Sequence, residues 1–325
     1  MGAGGCDLCP VIRIRPDNVD RVTWTAATLI TFSAVLHAGW NYVSKRRSPT
    51  MGFFSIAAAT AAVMMIPVLV ANVDLVAEVP AAVWLLLVFT GAAQAVYVHG
   101  LAGAYASGDI SLAYPLARAL PVLLVAAVGF LLGRGDRIGI VSVVGMVLIT
   151  IGCVVLPLPR FRRLRLSDYR GAVYVMAVVA AIGTTGYTLI DDGALTRLDS
   201  LVDEVTSQTR VTLFYVSLQA AATAIGIVLL TVARSMTRHQ LKAVARDQSL
   251  RRTGMLTGVV ITATYGLALA AMAYVSDVSY VAAFRQLSIP IGAALGIVLS
   301  GEPRHGPKLF GVAVVTAGLV LVGLG

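Results

Sequence analysis

The feature that most constrains this chain is a rhythm. Stretches of about 20 apolar residues recur along it, each the length that carries a helix across roughly 30 Å of hydrocarbon at 1.5 Å per residue. Ten such runs lie at 24–43, 52–71, 83–105, 110–132, 138–157, 170–190, 208–233, 254–275, 278–300 and 307–325. They are apolar on every face, whereas barrel strands would alternate in segments of about ten residues. In lipid every backbone polar group must find a partner within the protein, which leaves helices. The expected fold is all-α: a polytopic membrane protein with ten transmembrane helices. Composition agrees, since only 13% of the 325 residues are charged against roughly 25% in a soluble domain, too few to cover a wetted surface.

The net charge of +9 sits in the punctuation between runs and forms no continuous basic face. It therefore reads as topology control, and nucleic acid is excluded as a partner. Sixteen lysines and arginines fall on one side: Lys45, Arg46 and Arg47; Arg160, Arg162, Arg163, Arg165 and Arg170; Arg234, Arg238, Lys242, Arg246, Arg251 and Arg252; Arg304 and Lys308. Seven fall on the other: Arg13, Arg15, Arg21, Arg134, Arg137, Arg197 and Arg210. The richer side is expected to be cytoplasmic, with both termini outside. Residues 1–22 lack the order of a cleavable signal and read as a disordered tail. Cys6 and Cys9 form a lone CDLC pair without the second ligand pair of a zinc site, so no metal or cofactor is expected.

Two stretches match without a gap at an offset of 168 residues, beginning at SGDISLAY (107–114) and VSDVSYVA (275–282). Asp109 falls on Asp277, Ser111 on Ser279 and Gly133 on Gly301. A weaker echo links GWNYVSK (39–45) with GYTLIDD (186–192). Five helices duplicated, an odd number, enter the membrane in opposite directions, which is the inverted repeat of secondary transporters. The expected units are a tail at 1–22, a first five-helix repeat at 23–157, a basic loop at 158–169 and a second repeat at 170–325.

LHAGWNYVSKR, GDISLAYPLARALPVLLVAAVGFLLG and SYVAAFRQLSIPIGAALGIVLSGE resemble the EamA family of the drug/metabolite transporter superfamily, over nearly the whole membrane portion. The resemblance implies a ten-helix 5+5 inverted repeat with a central substrate cavity and alternating access. Gly301-Glu302 fits the Gly-Glu with which the fourth and ninth helices of that family often end, while Gly133-Arg134 departs from it.

An ionisable group at mid-bilayer costs about 2.5 to 3.5 kcal/mol, so each one that persists should face a cavity or a partner. In the first run, Ser33, His37, Asn41 and Ser44 share a stripe beside Trp40. His37 is the group that would titrate near neutral pH, and Trp40 offers a flat wall. Helix packing and interfacial anchoring are the plainer roles for these two. In the fourth run Tyr114, Arg118 and Pro121 share a face; in the ninth, Arg285 and Ser288 do, with Pro290 one turn on. Two intramembrane guanidinium groups suit carboxylates or phosphates. In the sixth run Thr184, Tyr187 and Asp191 repeat the stripe of the first, whereas Asp192 reads as a solvated helix end. Gln94 with Tyr97, and Thr264 with Tyr265, complete the polar set, with helix-to-helix hydrogen bonding as their plainer role.

The candidate binding residues are therefore His37, Trp40, Asn41, Gln94, Tyr114, Arg118, Tyr187, Asp191, Tyr265 and Arg285. No paired carboxylates, HEXXH, phosphate loop or Ser-His-Asp spacing points to an enzyme. The expected function is secondary transport of a small anionic or zwitterionic metabolite, such as an amino acid or organic acid, with proton coupling through His37 left open. An intramembrane enzyme on a lipid-linked phosphate, or a flippase or sensor of the same fold, is the alternative. The expected surroundings are the lipid bilayer of a bacterial cytoplasmic membrane, a small-molecule substrate, and at most a second copy of the chain.

Overall fold

The computed structural model describes residues 22–45, 50–107, 110–156, 158, 171–202 and 206–325, without the side chains at 43–45, 107, 110–116 and 300. The tail with its CDLC pair, most of the 158–169 loop, and the side chains of Ser44 and Tyr114 lie outside the described residues. All ten apolar runs are helical. They form α1 (Trp24–Lys45), α2 (Met51–Ala71), α3 (Ala81–Ser107), α4 (Ile110–Leu131), α5 (Ile140–Val155), α6 (Ala172–Leu198), α7 (Gln208–Ala233), α9 (Gln248–Met272), the pair α10 (Val278–Phe284) and α11 (Ser288–Ser300), and α12 (Gly306–Leu324). Among the described residues no strand occurs, only a bridge between Val22 and Val275.

Seven of these units are long and apolar enough to cross a membrane: α2, α3, α6, α7, α9, α10 with α11, and α12. The other three fall short for local reasons. His37, Asn41 and three threonines dilute α1, while α5 and the described apolar part of α4, Ala117–Leu131, are shorter. The chain is thus an all-α, multi-pass membrane protein.

Side-chain burial fits lipid better than water. Large apolar groups such as Val63, Ile66, Val88, Phe89, Ile140, Ile182 and Leu229 are exposed, whereas Ser33, His37, Gln94, Asp191, Arg285 and Gln286 are buried. A contiguous apolar exterior of this kind marks contact with lipid. Lipid tails are as apolar as leucine, so helices associate here through close packing and hydrogen bonds rather than hydrophobic burial. The seam between α5 and α12 makes the point: a Cβ at Gly145 would lie 2.6 Å from the Gly318 carbonyl oxygen, and one at Gly152 would lie 2.8 Å from that of Gly311. Only glycine lets these backbones meet. Other extensive contacts join α3 to α6, α1 to α9, α2 to α7, α2 to α9, α3 to α7, α4 to α6, α4 to α5, and α1 to α11.

The ninth run is broken. α10 gives way to a 3-10 turn at Arg285–Leu287 before α11 begins. Pro290 explains the position, because its ring crowds the carbonyl of Gln286 four residues back and offers that carbonyl no N–H. The Arg285 carbonyl, at the start of the turn, accepts from the Ser288 hydroxyl at 2.9 Å and from Arg118 at 3.0 Å. Both α4 and α11 end on a left-handed glycine, Gly133 at φ 74° and Gly301 at φ 62°.

One element departs from the sequence expectation. The basic segment after α7 is not a loop but α8 (Ser235–Arg246), an amphipathic helix that buries Thr237 and Val244 and leaves Arg238, Lys242 and Arg246 exposed. It packs on the start of α2, where a Cβ at Gly52 would strike the backbone of Gln240 and Leu241.

Candidate functional site

A cavity lies between the helices, about 860 Å³ when the open space at its mouth is counted in. Its walls come from α1, α2 and α3 and from α6, α7, α9 and the broken ninth run. Its lining is mixed: His37, Trp40, Gln94, Tyr187, Tyr265 and Arg285 bring polar groups, and Phe54, Ala58, Val216, Ala220 and Ile227 bring apolar surface. The wall residues of α2 come from its first half and those of α7 reach into its second, so the cavity extends toward the end carrying α8 and the basic loops. Toward the opposite end Leu198, Val211, Phe214, Leu269, Met272 and Tyr280 are wholly buried and packed into one cluster.

A smaller recess of about 360 Å³ adjoins it, lined by Arg118, Pro121, Thr184, Thr188 and Gln286, and shares Tyr97, Tyr187 and Arg285 with the cavity. Those three side chains are the partition. The rings of Tyr97 and Tyr187 meet edge to face at 5.8 Å between centroids, and those of Tyr187 and Tyr265 at 5.3 Å. The Arg285 guanidinium lies over the Tyr265 ring at 5.3 Å, an attraction that desolvation strengthens. Behind that ring, Asp191 is fully buried and accepts from Tyr215 at 2.6 Å and Tyr265 at 2.5 Å. Tyr265 thus holds the carboxylate with its hydroxyl and the guanidinium with its face.

Arg118 joins the two halves of the chain. One of its terminal nitrogens lies 2.7 Å from His37 Nε2; the other donates to the Arg285 carbonyl and, at 2.8 Å, to the Ser288 hydroxyl. Arginine has only donors, so Nε2 accepts. The Trp40 indole N–H points at Nδ1 from 3.3 Å. A neutral ring keeps one N–H and cannot accept fully at both nitrogens, and the shorter Arg118 contact decides for Nε2 as the acceptor.

Of the candidate residues, His37, Trp40, Gln94, Tyr187, Tyr265 and Arg285 line the cavity, and Arg118 lines the recess. Two lie elsewhere. Asn41 spends its amide on the carbonyl of His37 one turn back, and Asp191 stands behind Tyr265 rather than in either lining. Tyr114 lies on α4, but its side chain is outside the described residues. Ser33 donates to the Thr264 carbonyl at 2.7 Å and ties α1 to α9. Asp192 corrects the expectation of a solvated helix end: it is buried and accepts from Arg134 at 3.0 Å. The arginine that interrupts the Gly-Glu pattern therefore has an acid to hold, while Glu302 at the matching place accepts from Lys308 at 2.7 Å. Gln219, in the cavity wall, and Gln286, in the recess, were not among the candidates. Both are amides inside apolar runs, and the insertion cost that flags Gln94 also flags them.

No family model matches the chain, and no curated protein matches it. Among solved structures 28 chains match. One, a crystal structure of a protein without further description, aligns over 94% of this chain and 99% of its own at 18% identity, with a TM-score of 0.63. What the two share is the fold.

Proposed function

We propose that this protein is a secondary transporter of the EamA type, moving a small anionic or zwitterionic metabolite by alternating access between two inverted five-helix repeats. The observation that carries the reading is the cavity itself. It is built from both halves of the chain, bordered by the arginine side chain of Arg285, and enclosed by a protein whose exterior is hydrocarbon-like. A buried guanidinium in such a place attracts a carboxylate or phosphate in a forked geometry.

Several features support the repeat. Exchanging each helix of 23–157 with its counterpart in 170–325 maps the observed contacts onto one another: α3 on α6 becomes α9 on α1, α2 on α9 becomes α7 on α3, and α4 on α6 becomes α11 on α1. Contacts α2 on α7 and α5 on α12 map onto themselves. Gly133 and Gly301, 168 residues apart, end their helices in the same left-handed conformation. By the distribution of lysine and arginine the end toward which the cavity extends is cytoplasmic, which supports reading this conformation as the inward-facing one.

Uptake of radiolabelled organic and amino acids into proteoliposomes tests the function. The protein accumulates or exchanges an anion unchanged, and Arg285→Ala reduces the initial rate at low substrate roughly a hundredfold, as loss of a desolvated charge contact does. Chemical alteration of the solute, or an Arg285→Ala rate equal to wild type, contradicts the proposal.

A further inference from the structure

Helix α8 carries a charged face that the chain itself does not cover. Arg234, Arg238, Lys242 and Arg246 recur at every fourth residue and are all exposed, which sets them as one stripe on the helix and its first flanking residue. The opposite side holds Thr237 and Val244, which are buried. Arg252, in the second turn of α9, is exposed as well. From 234 to 252 the chain has six lysines and arginines and a single acid, Asp247, whose carboxylate accepts from the Leu250 backbone N–H as the cap of α9. None of the five exposed cations takes part in an ion pair among the described residues.

Two observations set the depth of this face. Arg238 donates from Nε to the Val232 carbonyl at 3.0 Å, and Val232 and Leu229, one turn apart, are exposed apolar surface of α7. Arg252 is followed on its own face of α9 by Met255 and Leu256, both exposed. Apolar side chains left bare on both flanking helices belong to the lipid-facing exterior. Four residues of helix span about 6 Å, so the cations stand roughly one turn beyond the edge of the hydrocarbon. That is the level of lipid phosphates, and the long stems of arginine and lysine reach along it.

We infer that the exposed face of α8, with Arg252, binds the phosphate-bearing headgroups of anionic phospholipids in the leaflet on its side of the bilayer. Guanidinium groups take a phosphate through paired N–H donors, and basic groups on an interfacial helix are drawn to an anionic surface over about a Debye length. A soluble acidic partner would match the charge but not the depth, since the apolar groups of α7 and α9 beside the stripe call for acyl chains. This site is separate from the cavity and holds whatever solute the protein moves.

Lipid selectivity at α8 tests it. In a full-length variant lacking Cys6, Cys9 and Cys153, a cysteine at exposed Ala245 carries a small fluorophore, and the protein is reconstituted in phosphatidylcholine vesicles. Nitroxide-labelled phosphatidylglycerol or nitroxide-labelled phosphatidylcholine is then titrated in as quencher. The anionic lipid should associate roughly fivefold more strongly, the worth of about one cation beside an anionic surface. The preference should collapse toward one in about 1 M salt, where the Debye length is about 3 Å. Arg238→Gln with Lys242→Gln and Arg246→Gln should abolish it at low salt. Lys242→Gln with Arg246→Gln, which leaves the Arg238 bond to Val232 in place, serves if the triple variant does not fold. Equal association of the two lipids, the result for a helix that stands clear of the membrane or faces a soluble acidic partner, overturns the inference. A preference that survives the charge variants overturns it too.

Discussion

Asp191 and Arg285 illustrate how a membrane interior holds opposite charges without pairing them directly. Each engages Tyr265, one through the hydroxyl and one through the ring face, so a single tyrosine stands between carboxylate and guanidinium. Tyr265→Phe removes one of two donors to a fully buried carboxylate and is expected to cost about 1–3 kcal/mol of stability. A lowered melting temperature in detergent checks it. Because the phenyl face remains under Arg285, solute affinity should fall less in Tyr265→Phe than in Tyr265→Leu, which loses the cation–π contact as well. His37 gives the account a pH dependence that can be tested. While it accepts from Arg118, a proton on Nε2 would set N–H against N–H, with Arg285 the other nearby cation. Acidification that protonates His37 should therefore release Arg118 and depress uptake. His37→Gln, which keeps an acceptor, should flatten the pH profile of initial rates; an unchanged profile would remove His37 from this role. Asp191's partners were not legible beforehand, since Tyr215 and Tyr265 lie 24 and 74 residues away and nothing local sets the register between helices.

At the level of the element, the ten apolar runs were readable because hydropathy over 20 residues is a local property, and the helix bounds fall within a few residues of the runs at most ends. α8 was missed for the complementary reason. Its apolar face is narrow, its charges are many, and a basic stretch between spans reads as loop until a partner, here the glycine at the start of α2, gives the face something to cover. The break at Arg285–Leu287 was half legible: Pro290 announces a disturbance one turn upstream, but not that the carbonyl of Arg285, beside the one it frees, receives Arg118. The α5–α12 seam supplies an element-scale prediction. Gly318→Leu forces a side chain where the Gly145 carbonyl already stands, and such overpacking costs about 1–3 kcal/mol. Gly39 has nothing within 4 Å of its would-be Cβ, so Gly39→Ala should be neutral or stabilising by up to about 1 kcal/mol. Thermal melting of the two variants side by side checks the contrast.

For the molecule as a whole, the exterior faces hydrocarbon, the polar groups face inward, and the cavity extends toward one end while buried apolar side chains fill the other. For a carrier that alternates between two states, that asymmetry is one of the two. Cysteine accessibility reads it directly. In a variant lacking Cys6, Cys9 and Cys153, single cysteines at Ala58 and Ala220, both in the cavity wall, are exposed in sealed vesicles to a membrane-impermeant thiol reagent applied from one face at a time. Alternating access predicts that both positions react from the face carrying the basic loops, that the transported solute protects them, and that reaction from the opposite face appears only when solute drives exchange. Reaction from neither face, or labelling only by a lipid-soluble reagent, would contradict a shared aqueous chamber between the two halves.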